Sequence, residues 1–181
     1  MKKILITAIT TIFLTGCMGA GDISDVTGNG KGYFPSMVGI DLTGEQRKIP
    51  ESFENEYNIV AVAFEREHQT DVNSWIKIAD EIIEKNENIG FYEIPLIYEV
   101  NAPYRFWINN GMRSAIPDLK ARLRTITVYT DREEFLNMMD MNPNNIYLMV
   151  INKDGKILWQ TSGAADSSKI NELEGVVKEL N

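Results

Sequence analysis

Apolar positions along the chain fall into short runs of two kinds, continuous and helically spaced. Ile59 to Phe64 (IVAVAF) is unbroken, the pattern of a strand buried on both faces of a parallel sheet. Asn145 to Gly163 holds two apolar runs around Lys153-Asp154-Gly155, with Trp159 in the second, and predicts a β-hairpin. Its turn needs Gly155 at positive φ. Val38 to Ile49 predicts two short strands around Thr43-Gly44-Glu45-Gln46, followed by a helical turn from Pro50 that carries Phe53. Phe91 to Val100 predicts another strand, which Pro95 bends or moves toward a sheet edge. Thr125 to Tyr129 is a short one.

Helical spacing relates Val72, Trp75, Ile76, Ala79, Ile82 and Ile83, with Thr70 as the expected N-cap and Asn86 to Gly90 as the stop. A second helical region opens at Asn101 and Pro103 and runs through Phe106, Trp107, Met112 and Ile116. Gly111 weakens it, and Pro117 breaks and restarts it. Thr130 and Glu133 form a capping-box pattern before Phe135, Leu136 and Met139. A last amphipathic helix starts at Asp166 or Ser167 and carries Ile170, Leu173, Val177 and Leu180. Strands alternating with helices imply an α/β mixed sheet with right-handed parallel crossovers, flanked by helices and extended by the late antiparallel pair.

The first residues read differently. Lys2 and Lys3 precede an apolar run from Ile4 to Leu14, too short to span a bilayer, which ends in Leu14-Thr15-Gly16-Cys17. That ending resembles the cleavage motif of bacterial lipoproteins. The resemblance implies a signal peptide over residues 1–16, acylation of Cys17, a palmitate-type anchor in the bilayer and an extracytoplasmic place in the bacterial cell envelope. Residues 17–36, with Gly19, Gly21, Gly28, Gly30 and Gly32, read as a Gly-rich tether that spans about 25 Å as a coil. The domain is expected over residues 37–181.

Charge and cysteine content narrow the function. The net charge of −8 becomes −10 once Lys2 and Lys3 are removed with the signal segment, which argues against nucleic acid as a partner. Cys17 is the only cysteine. Residues 18–181 therefore contain no disulfide, no thiolate nucleophile and no Cys-ligated metal.

The element order is similar to the thioredoxin-like fold in its peroxiredoxin and TlpA-type variant. Asp41-Leu42-Thr43-Gly44 before Ile49-Pro50 resembles the leading hairpin of that group, and Asn152-Lys153-Asp154-Gly155-Lys156-Ile157 resembles its closing hairpin. More narrowly, Tyr92-Glu93-Ile94-Pro95, Gly111-Met112-Arg113 and Ile157-Leu158-Trp159 before Gly163 resemble the mitochondrial ATP-synthase assembly-factor family. That resemblance implies help in inserting a membrane subunit rather than electron exchange. The redox residues of the wider group are missing. Its two cysteine positions hold Gln69 and Val72, the peroxidatic position holds Asn73 beside the matching Thr70, and the proline position holds Ile146, with Pro143 three residues too early. No other side chain supplies a thiolate.

Other chemistry has less to stand on. His68, the only histidine, lies in Glu65-Arg66-Glu67-His68-Gln69, where an enzyme of this fold without cysteines would place its site. A lone His has no nucleophile or metal partners beside it. Met138, Met139 and Met141 offer thioethers for a copper chaperone, or gap-filling core at helical spacing. Arg105, Arg113, Lys120, Arg122 and Arg124 are opposed within their segment only by Asp118. They read either as a solvated helix or as a contact surface for an acidic partner or anionic headgroups. The expectation from sequence is a redox-inactive, membrane-anchored thioredoxin-like protein acting in binding, assembly or chaperoning of an envelope or membrane protein, with no cofactor. The rivals are a cysteine-independent enzyme and a methionine-based copper chaperone.

Overall fold

Residues 32–180 are described in a computed structural model of the chain. The expected signal segment, Cys17 and the tether up to residue 31 lie outside the described residues.

Seven strands form one sheet. β1 (Met37–Asp41) and β2 (Gln46–Ile49) make the leading hairpin. β3 (Tyr57–Ala63), β4 (Ile89–Tyr98) and β5 (Ile126–Thr130) follow, and β6 (Tyr147–Asn152) and β7 (Ile157–Ser162) make the late hairpin. Their spatial order is β2-β1-β5-β4-β3-β6-β7. The central strand β4 runs parallel to both β3 and β5, while β1 meets β5 and β6 meets β3 antiparallel. The helices are α1 (Gln69–Ile83), α2 (Ala102–Ala115), α3 (Leu119–Arg124), α4 (Arg132–Met139) and α5 (Ser167–Glu179).

The unbroken apolar runs are explained by two cores, one on each face of the sheet. Ile59 and Ala61 of β3 point with Leu148 and Val150 of β6 toward α1 and α5, where Trp75, Ala79, Leu173 and Val177 meet them. Val60, Val62, Met149 and Ile151 point the other way, toward Phe34, Phe53 and the α4 residues Phe135 and Leu136. Successive strand residues face opposite sides, so a strand covered on both must be apolar throughout.

Four local expectations are corrected. Residues 32–36, assigned to the tether by composition, join the fold. Phe34 is buried, its N–H donates to Gly155 O at 2.7 Å, and Ile157 N–H donates to Gly32 O at 2.9 Å. Gly155 itself has φ +80°, and a Cβ there would sit 2.8 Å from Phe34 O, so only glycine fits beneath that clip. Pro95 is not at an edge: it lies in the central strand opposite Ala63. Pairing with β5 is interrupted there, between the bridge Glu93–Thr125 and the ladder that starts at Leu96–Val128. That gap accommodates the missing N–H.

The caps also move. Asp131, not Thr130, caps α4 by accepting from Glu134 N–H at 3.1 Å, because β5 runs through Thr130 and buries it. Glu133 instead accepts the Tyr98 hydroxyl at 2.7 Å. Thr70 lies inside α1, which continues from a 3-10 turn over Arg66–His68 and has no side-chain cap.

Candidate functional site

The end of β3 delivers Phe64 to the mouth of the sheet, and the Arg66–His68 turn then folds the chain into α1. This corner brings together the positions expected to hold redox residues. Gln69 and Asn73 are one turn apart on the exposed face of α1, and Gln69 Nε2 donates to Asn73 Oδ1 at 3.0 Å. Val72 and Ile146 are buried at 3% and 0% exposure in the same apolar cluster as Trp75 and Leu148. The segment after β7 closes the corner from outside. Gly163 N–H donates to Ile146 O at 3.0 Å, Trp75 Nε1 donates to Gly163 O at 3.0 Å, and Ala165 N–H donates to Ser74 Oγ at 2.9 Å. Where a redox pair needs one thiolate at the surface and one sulfur beneath it, this chain has an amide pair above and hydrocarbon below.

The loop candidates are occupied structurally. His68 is half-buried, and its Nδ1 accepts from Phe64 N–H at 3.3 Å, closing the turn. Glu65 accepts from Arg132 at 2.8 Å. Arg132 was not singled out by the sequence reading, yet it ties this corner together. It is 7% exposed, lies 3.8 Å under the Tyr98 ring, and donates to Phe64 O at 2.8 Å as well as to Glu65. One signal for it exists in the sequence. Arg132 directly follows the helix cap, where the helix dipole disfavours a cation, so something else must hold it there.

The basic segment does not form one surface. Arg105 pairs with Glu99, donates to Val100 O and lies 4.9 Å over the Tyr129 ring. Arg113 donates to Leu42 O at 2.7 Å, and Arg122 to Ile116 O and Arg113 O. Arg124 pairs with Asp80 of α1 and lies 4.9 Å over Phe91. Arg122 lies against Arg113, and Lys120 and Arg124 share a groove of about 340 Å³ with Arg47, Ile83, Phe91 and Tyr92, at the end of α1 away from Gln69. Lys120 is exposed. Four of the five cations thus brace this chain's own backbone and acids.

Two buried carboxyls have opposite electrostatics. Burial pushes the Glu93 carboxyl above its ordinary range, with Asp80 adding to the shift and Arg124 opposing it. At Asp41 burial pushes the same way but is outweighed. Thr43, Arg47 and the backbone N–H groups of Thr43 and Glu45 donate to it and hold its pKa below the ordinary Asp range. The three methionines are core: Met139 and Met141 are buried among Phe34, Phe64 and Phe135, and Met138 packs against them. Among the described residues no group of three or more His, Cys, Asp or Glu side chains could hold a metal ion.

With this geometry in place, a family model described as "ATP10 protein" matches residues 29–180. The chain belongs to the ATP10 protein family. It is therefore a member of an assembly-factor family with a thioredoxin-like fold. The family match also corrects the location expected from the N-terminal motif. ATP10 proteins are mitochondrial inner-membrane assembly factors, which conflicts with a lipoprotein of the bacterial envelope. No curated protein matches the chain significantly.

Solved structures confirm the fold. The thioredoxin domain of a thiol-disulfide oxidoreductase from Bacteroides vulgatus is 14% identical, with 83% of this chain and 99% of that one covered and a TM-score of 0.54. The exposed lipoprotein thioredoxin of Streptococcus pneumoniae is 8% identical, covering 80% and 98% with a TM-score of 0.54. BsSco, from the Sco family of cytochrome c oxidase assembly proteins, is 16% identical, covering 81% and 94% with a TM-score of 0.52. Among the described residues no helix is long and apolar enough to cross a membrane.

Proposed function

We propose that this ATP10-family chain is a redox-silent thioredoxin-like assembly factor that binds a membrane-protein subunit while its complex is built. The observation that carries this reading is the packing of Val72 and Ile146 into one buried apolar cluster at the corner where the fold's redox chemistry would sit. A hydrocarbon contact there stabilises the domain and transfers no electrons. The family supports the assembly role, with the ATP synthase as the complex to examine first.

Two measurements test it. The full chain and its Cys17→Ser variant should both fail to reduce insulin disulfides with a dithiol donor; turnover by either sinks the redox-silent part. Cells lacking the protein should accumulate less assembled ATP synthase on native gels, restored by the wild-type chain. An unchanged amount of assembled enzyme would refute the assembly role.

A further inference from the structure

Helix α2 is built unlike α1, α4 and α5; only the short α3 shares its lack of buried residues. No residue in α2 is buried, whereas α1, α4 and α5 each bury at least two. Its inward side is mixed, with polar groups beside half-buried Ile108 and Met112. Arg105 and Arg113 turn to backbone carbonyls, and Asn109 Oδ1 accepts from the Tyr129 hydroxyl at 2.9 Å. Its outward side carries Phe106 at 70% exposure, Trp107 at 69% and Tyr104 at 52%, the last two stacked with ring centroids 5.6 Å apart. None of the exposed residues of α2 is charged, and the helix holds no acid. Most exposed apolar residues are scattered singly; three large aromatics on one uncharged helix face mark a contact site.

We propose that this face enters the headgroup boundary of a lipid bilayer, with Trp107, Tyr104 and Phe106 as the inserted side chains. Three arguments select lipid. Trp and Tyr are the side chains that settle at a membrane–water boundary, where a flat apolar ring carries a polar edge. The face is convex, a helix ridge with aromatics spread around its outer half, whereas a partner helix seats in a groove. Area argues against a second copy. At roughly 150–250 Å² per aromatic side chain, and with the three only 52–70% exposed, they offer about 400 Å². Even with Leu119 and Leu123 of α3, at 61% and 38% exposure, the face stays below the roughly 800 Å² per partner of a stable interface. The charge pattern agrees with an anionic surface, since Asp118 is the only acid from Ala102 to Arg124 and Lys120 is exposed nearby.

The inference does not rest on the assembly reading, and its test needs no protein partner. The full chain is mixed with vesicles of phosphatidylcholine and phosphatidylglycerol, with and without brominated acyl chains. Tryptophan emission is followed in wild type, Trp107→Phe and the triple variant Tyr104→Ser/Phe106→Ser/Trp107→Ser. Trp75 is fully buried and Trp159 is half-buried against it, so Trp107 is the most exposed reporter and Trp107→Phe isolates its signal. Brominated lipid should quench the wild type, and vesicles should lower its quenching by iodide several-fold. Trp107→Phe should lose the brominated-lipid signal, and the triple variant should keep the fold by circular dichroism. Because quenching reads the depth of Trp107, it separates insertion of α2 from any attachment through residues 1–31. Trp107 that stays open to iodide and untouched by brominated lipid would overturn the proposal. So would iodide protection that rises with protein concentration without vesicles, together with a dimer in sedimentation; that would make the face an interface between copies.

Discussion

The corner around Val72 and the α2 ridge are opposite solutions to placing aromatic and apolar residues. At the corner Trp75 is sealed against Trp159, and its one polar atom is satisfied by Gly163 O. On α2 Trp107 points to solvent with only Tyr104 stacked on it. Both sites read in the sequence as apolar residues at helical spacing. What separates them is the inward side of each helix: Val72, Ala79 and Ile82 are buried in α1, whereas in α2 no residue is buried and Arg105, Asn109 and Arg113 stand beside half-buried Ile108 and Met112. A helix whose inner face is partly polar and nowhere buried leans on a few directed bonds more than on a core, and its largest aromatics are left outside.

The largest effect should come from the tryptophans themselves. Trp75→Ala should cost about 3–5 kcal/mol in urea unfolding, combining lost burial with a cavity. Trp107→Ala should change stability by less than about 0.5 kcal/mol, as for other surface replacements. Equal losses would erase the distinction between the two regions.

Next in size is Arg132→Met. It leaves the Phe64 carbonyl without its donor and removes the Glu65 pair, which should lower stability by about 2 kcal/mol. Hydrogen exchange should then rise at the start of α4 and the end of β3 while α2 is unaffected.

The third prediction concerns acid. Asp41 ionises below its ordinary range in the folded state, so its contribution is present above the unfolded pKa and lost as pH falls through the lower, folded one. Its loop also supplies Leu42 O to Arg113 of α2. Amide protection in α2 should therefore fall as pH drops below the ordinary Asp range, before protection in α1 does, and Asp41→Asn should remove that pH dependence. Glu93 has the opposite sign. Its raised folded pKa means that stability declines as pH climbs from the unfolded toward the folded value, so Glu93→Gln should flatten that limb.

The smallest expected effect is Lys120→Gln, within about 0.5 kcal/mol. Arg124→Gln should be measurably worse, because Asp80 and the buried Glu93 lose their nearest cation. Matching urea midpoints for the two variants would show that Arg124 is as dispensable as a surface lysine.

Much of the fold was legible because it rests on patterns with one solution. A strand covered on both faces must be continuously apolar, as Ile59 to Phe64 is, and a tight hairpin turn at positive φ must be glycine, as Gly155 is. The site was legible in the negative sense that Cys17 is the only cysteine. Directions were not legible. Helical spacing predicts α2 but not which side meets the sheet, and a cluster of arginines looks the same whether it faces a partner or this chain's own carbonyls. Arg132 escaped because a residue's burial depends on Tyr98, Phe64 and Glu65, which lie far from it in the chain. The location was misread for a related reason: four residues ending at Cys17 outweighed family features distributed over the whole domain.

The clip between residues 32–34 and the late hairpin has a mechanical meaning. The upstream chain enters the domain through antiparallel backbone contacts with Lys156 and its neighbours, ahead of β1. Tension applied from that side would load the Gly32–Ile157 and Phe34–Gly155 bonds before it reached β1. Only after they part would load reach Met37 and the β1–β5 pairing, and because Phe34 belongs to one of the two cores, their parting draws on that core before the sheet.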